Sequence, residues 1–303
     1  MSTKTSPAIT ACPNAAHFVS SPVPATSAET TSPVPAGSGT RANSPRQRTS
    51  STLRETRGLR RADDLIASGK IEQALERLRK LISDVPGATR GYLKMASLLR
   101  QKRRVSEALD VLRAAISQNP AALTPREVLA ELCLELGRWD EAIAQSRALL
   151  EYAPRSLFAR DVLSAAYLQR GLLDRALCVT DEMITIDPND PAHHFKRGVL
   201  LQQKGQLGSA VRAFVRVLQM HPDSEAADES RAAIEMLDCY QLRQIVTLAV
   251  EDVPFRLRLR HSCVEAVMQR GFFLSDQGIA ALCQMRFDEL PSAPTGWRQY
   301  YYH

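Results

Sequence analysis

The stretch LGRWDEAIAQSRALLEYAP, Leu136 to Pro154, carries a Gly near its start, a small Ala within it and a Pro at its end. Stepping along the chain 34 residues at a time meets the same residue types in the same places. Gly171, Ala176 and Pro188 come one step on, and Gly205, Ala210 and Pro222 two steps on. Two steps back lie Gly69, Ala74 and Pro86. One step back, Ala108 and Pro120 keep their places, with Arg103 standing where the others have Gly. Five prolines in register would arise by chance on the order of once in a hundred thousand chains of this Pro content. The segment is one copy of a repeat.

The repeat divides residues 55–224 into five units, 55–88, 89–122, 123–156, 157–190 and 191–224. Each contains two blocks in which apolar residues recur every three or four positions, which is helical periodicity. In the third unit Val128, Leu129, Leu132 and Cys133 mark one helix face, and Ala142, Ile143, Ser146, Leu149 and Leu150 the next. Gly137 and its equivalents then end the first helix in a left-handed conformation that costs Gly little. Arg103 in that role predicts a strained or open turn. The repeat Ala keeps the face small where two antiparallel helices meet. The repeat Pro stops the second helix, because it lacks an N–H and disfavours a helical residue before it.

This pattern resembles the tetratricopeptide repeat family over roughly 170 residues. In the third unit the matching residues are Leu129, Ala130, Gly137, Trp139, Ala142 and Pro154. The resemblance implies an all-α, right-handed superhelical solenoid of stacked helix hairpins, with a groove lined mainly by the first helix of each unit. Groove candidates are Arg90 and Arg100 in the second unit and Glu127, Glu131 and Glu135 in the third. Phe158, Asp161, Ala165 and Leu168 follow in the fourth, and Phe195, Val199 and Gln202 in the fifth. The three glutamates recur every four residues, stack on one helix side and repel one another modestly. A basic or apolar peptide or protein partner suits such a groove. Some family members grip a C-terminal carboxylate with a Lys and Asn clamp. The corresponding phases here hold Leu59, Asp63, Lys94, Thr124 and Val128, and Lys94 alone does not make it. In the first unit Gly58 and Arg61 replace the usual aromatic and Leu, which predicts a frayed first helix or a polar cap.

Outside the repeats, residues 1–54 form a Ser/Thr/Pro/Ala-rich basic tail, read as disordered because it has too little apolar surface to offset its ordering entropy. It repeats SPVPA at Ser21 and Ser32 and has further Ser-Pro pairs at Ser6 and Ser44. Residues 225–252 read as a helix that covers the last apolar face, with Ala233, Ile234, Leu237, Tyr240 and Leu242 on one side. Residues 253–303 give two more helices, Phe255–Arg270 and Asp276–Glu289, the second capped by Ser275, and then an aromatic tail with Trp297 and Tyr300 to Tyr302.

Charge is unevenly placed. Residues 1–61 hold eight Lys/Arg against two Asp/Glu, while the remaining 242 residues hold 31 of each sign. A general nucleic-acid surface is therefore not expected. No apolar window is long enough to cross a membrane. Six scattered cysteines, none spaced CxxC, point to a reducing cytoplasmic setting; the acid-poor N-terminus also overlaps in composition with organelle transit peptides. There is no phosphate loop, no nucleophile elbow and no marked carboxylate pair, so no catalytic residue, metal or cofactor is expected. His193 and His194 are adjacent and point about 100° apart on a helix, which suits no shared metal.

The leading expectation is a non-catalytic interaction scaffold. Two alternatives concern its C-terminal end. Val264 to Met285 is loosely similar to leader segments of ribosomally made natural-product precursors, and the aromatic tail could plug the protein's own groove.

Overall fold

The computed structural model describes residues 45–289, and among these it contains helices and no strand. The chain divides into two compact units, one ending at Leu136 and one opening at Gly137.

The first unit comprises α1 (Pro45–Ala67), α2 (Ile71–Asp84), α3 (Thr89–Gln101), α4 (Val105–Gln118) and α5 (Leu123–Glu135). Consecutive helices pack on one another throughout. Helix α1 begins ten residues ahead of the repeat boundary at 55 and runs unbroken to Ala67, so the predicted fraying is not seen. Gly58 explains the close packing of α1 on α2: a Cβ there would lie 2.7 Å from Leu81 Cδ1.

Arg103 shows how the repeat turn is built. Its φ is +58°, left-handed as at Gly69 (+75°) and Gly171 (+69°). The Arg103 and Arg104 N–H groups donate to the carbonyls of Arg100 and Leu99, both at 2.9 Å. At Gly171 and Leu172 the N–H groups donate in the same way to Leu168 and Tyr167. The turn is closed, and of the two sequence expectations strain is the one realised.

The second unit comprises α6 (Trp139–Tyr152), α7 (Leu157–Gln169), α8 (Leu173–Ile186), α9 (Pro191–Gln203) and α10 (Leu207–Met220). The longer α11 (Glu225–Glu251) follows, then α12 (Val253–His261), α13 (Cys263–Gln269), α14 (Asp276–Gln284) and a 3-10 turn at Phe287–Glu289. The Trp139 indole lies over the backbone of Gly137, 3.4 Å from where a Cβ would stand. All five repeat alanines, Ala74, Ala108, Ala142, Ala176 and Ala210, are fully buried. Helices α2, α4, α6, α8 and α10 each stop two residues before a repeat Pro.

Phe214 of α10 is completely buried among Leu201, Val211, Ile234 and Leu237, so α11 does cover the last repeat. Burying such a ring contributes about 2–3 kcal/mol. Tyr240 departs from the sequence reading: it is 53% exposed. The buried side of α11 runs through Ile234, Leu237, Gln241 and Ile245, at three- and four-residue steps that leave Tyr240 facing out.

Beyond α11, Phe255, Leu259, Val267, Leu274, Leu282 and Phe287 build a separate small core on Ile245 and Ala249. The single helix expected over 255–270 is instead broken at Ser262, whose backbone is extended (φ −150°, ψ 88°). Ser and Cys are mediocre helix formers, and no stronger local signal marks the break. The second expected helix ends at Gln284, five residues early, its chain turning at Met285 into the 3-10 turn. Cys263 and Cys283 form a disulfide with Cα atoms 6.3 Å apart, a pairing that the reading of six scattered cysteines in a reducing setting does not anticipate. A sequence separation of 20 carries no signature that would have shown it.

Polar residues fix the loop between α13 and α14. The Gln241 side-chain amide donates to the Phe273 carbonyl (3.0 Å) and accepts from the Phe273 N–H (3.2 Å). Asp238, 5% exposed, accepts from the Ser275 N–H (3.1 Å) and hydroxyl. Ser275 in turn caps α14 by accepting from the Gly278 N–H, as the sequence predicts.

Candidate interaction faces

In the first unit, a recess of about 250 Å³ lies between α1 and α3, lined by Leu59, Asp63, Arg90, Leu93 and Lys94. Lys94 pairs with Asp63, which occupies the one lysine in the clamp phase. Arg90 is exposed. Arg100 reaches the next repeat and donates to Glu135 at 3.2 Å. The expected stack of three uncompensated carboxylates is thereby reduced, since Glu135 already has a cation. Helical spacing reveals neighbours on the same helix and is blind to a partner 35 residues away. Glu127 is half-buried and Glu131 exposed, and neither forms an ion pair among the described residues.

In the second unit, α7 and α9 create a more apolar recess of about 400 Å³. Asp161, Ser164, Ala165, Leu168, Phe195, Lys196, Val199 and Leu200 line it. Asp161, Leu168 and Phe195, expected from the sequence, thus share one wall. Their gathering follows from the fold. Asp161, Ala165 and Leu168 recur along one side of α7, and Phe195 and Val199 along one side of α9. The Phe195 ring leans on Phe214, with centroids 5.6 Å apart, so one face is anchored in the core while the ring also borders the recess.

Lys196 was not among the sequence candidates. It pairs with Asp161 at the rim, and burial pushes its ammonium below the usual lysine range. A signal did exist: Lys94 and Lys196 stand three repeats apart in the same phase, and both pair with an Asp of the preceding repeat. Phe158 is 39% exposed and lies outside the recess lining. Gln202 lines a different cleft of about 700 Å³, beside Gln206, Arg212, Met236, Tyr240 and Phe273. The aromatic residues Trp297 and Tyr300 to Tyr302 lie outside the described residues.

His193 is buried near Asp190 (3.5 Å), with no hydrogen bond at either ring nitrogen; His194 Nε2 lies 3.1 Å from the Pro188 carbonyl. No helix among the described residues is long and apolar enough to cross a membrane.

Three family profiles, each described as tetratricopeptide repeat, match residues 59–122, 99–160 and 163–235. The chain belongs to the tetratricopeptide repeat family. Its members are protein-interaction scaffolds, and the helix hairpins described above are the family's unit. Among solved structures, a MamA protein is similar at 17% identity, over 56% of this chain and 92% of that one, with a TM-score of 0.50. MamA from Desulfovibrio magneticus RS-1 is 16% identical over 57% of this chain and 97% of that one, TM-score 0.49. YrrB, titled a TPR protein with an unusual peptide-binding site, is 19% identical over 56% and 88%, TM-score 0.47. At these identities the likeness concerns the fold. No curated protein sequence matches the chain.

Proposed function

We propose that this tetratricopeptide repeat protein is a non-catalytic scaffold whose second unit takes an apolar side chain of an extended or helical peptide between α7 and α9. One observation carries the reading. The recess beside Phe195 has aliphatic walls in Ala165, Leu168 and Val199, and its polar rim is an ion pair instead of a catalytic constellation. An anchor side chain would remove these walls from water, while Asp161 and Lys196 offer both signs of charge to peptide backbone or flanking residues. In the first unit, taken by itself, Glu127 and Glu131 offer an acidic face that suits a basic peptide.

Peptides selected by display on the full chain provide the test. Their dissociation constants are then measured on Phe158→Ala/Phe195→Ala and on the charge reversal of Glu127, Glu131 and Glu135. Weakening of about tenfold by the aromatic pair is expected, roughly the loss of one well-packed anchor. Unchanged affinity in both variants would remove the groove reading.

The leader-like reading of residues 264–285 gains no support from the packing. Val267, Leu274 and Leu282 of that segment are core residues, and Gln241 and Asp238 hold its central turn. These features favour a structural cap.

A further inference from the structure

Arg54, Arg57, Arg77 and Lys80 line a cleft of about 430 Å³ between α1 and α2, together with Gly58, Leu81, Asp84 and Val85. None of the four cations forms an ion pair among the described residues. Some cations of the same unit are matched, Arg79 with Glu107, Lys94 with Asp63, Arg100 with Glu135, and Arg104 with Glu72 and Glu107, whereas Arg60, Arg61, Lys70, Arg90, Lys102 and Arg103 form no ion pair among the described residues. What sets the four apart is that they share one cleft.

The cause of this gathering is the packing of α1 on α2. Gly58 lets α1 settle against Leu81, and this approach brings the Arg54–Arg57 side of one helix to the Arg77–Lys80 side of the other. Four like charges with one carboxylate nearby are costly to assemble, and an anion in the cleft reverses the sign of that cost. Guanidinium groups match carboxylates in forked, two-bond geometry. The floor is aliphatic, since Leu81 and Val85 are buried beneath the cations.

We propose that this cleft binds a short acidic segment of another protein, with two or more closely spaced carboxylates. The chain itself does not supply one from outside the described residues: residues 1–44 contain a single acid, Glu29, and residues 290–303 none. A nucleic acid is the competing outcome that the test separates, since residues 62–303 are charge-balanced whereas Arg54 and Arg57 belong to the basic run from Arg41 to Arg61. The site is separate from the α7–α9 recess.

The test uses fluorescence anisotropy on the full chain. The probes are a labelled twelve-residue peptide with six Glu, its Gln counterpart, and a twelve-nucleotide single-stranded DNA. The acidic peptide should bind at least tenfold more tightly than the Gln peptide, and more tightly than the DNA. Arg57→Glu/Arg77→Glu should abolish that advantage, and Phe195→Ala should leave it intact. Arg57→Gln/Arg77→Gln, checked for helicity by circular dichroism, replaces the reversal if that variant fails to fold and should also cost several-fold. Equal binding of the Gln peptide, indifference to the paired substitutions, a preference for DNA, or loss in Phe195→Ala would each overturn the assignment. Indifference would move acidic binding to the basic tail, and loss in Phe195→Ala to the groove.

Discussion

Replacing Arg103 by Gly should stabilise the protein. The residue sits at φ +58° with both turn hydrogen bonds made, so the backbone has no better conformation to adopt. A left-handed conformation costs an L-residue about 1–2 kcal/mol. Gly removes that cost but gives the unfolded chain more freedom to lose, about 0.5–1 kcal/mol. The net gain is about 0.5–1 kcal/mol. For a chain of this size it corresponds to a rise in melting temperature of about 1–4 °C. The reciprocal change isolates the same term: Gly171 has φ +69° and no atom within 4 Å of a built Cβ, so Gly171→Ala meets strain without a clash. It should cost about 1 kcal/mol. Urea unfolding followed by circular dichroism reads both variants, with the slope unchanged. If Arg103→Gly is neutral or destabilising while Gly171→Ala is tolerated, conformational strain does not govern the repeat turn.

Gly198→Ala should destabilise by about 1–3 kcal/mol, because its Cβ would stand 2.6 Å from a ring carbon of fully buried Phe214; a melting curve matching wild type would show that α9 and α10 can part there. Asp252 accepts the Phe255 N–H (2.9 Å) at the start of α12, and this bond holds its carboxyl below the usual Asp range against a smaller opposing effect of burial, with Arg270 assisting. The folded pKa is depressed, so this stabilisation is present above the ordinary Asp pKa and is lost as pH falls through the folded value. The protection factors of α12 amides, taken relative to intrinsic exchange at each pH, should therefore fall in acid for the wild type, whereas Asp252→Asn should lack that acid-dependent component; parallel profiles of protection against pH would refute this.

Much of the fold was legible because the repeat states its own punctuation. Gly at the left-handed turn, Ala at the helix contact and Pro after the second helix each answer a steric demand that is local in sequence. The α7–α9 recess was legible for the same reason: Asp161, Leu168 and Phe195 follow from helix phase once hairpins stack. What escaped were partnerships across repeats. The pairing of Glu135 with Arg100, or of Asp161 with Lys196, depends on where long flexible side chains end, and helix phase does not encode that. The break at Ser262 and the disulfide joining α13 to α14 escaped too, because the small C-terminal core is fixed by contacts between elements and has no internal repeat to announce it.

The placement of Trp139 over Gly137 provides an optical handle. The sequence holds two tryptophans, and Trp297→Phe would leave Trp139 as the sole indole emitter. Its emission wavelength would then follow wetting of the third repeat's turn during titration or heating, without any attached dye.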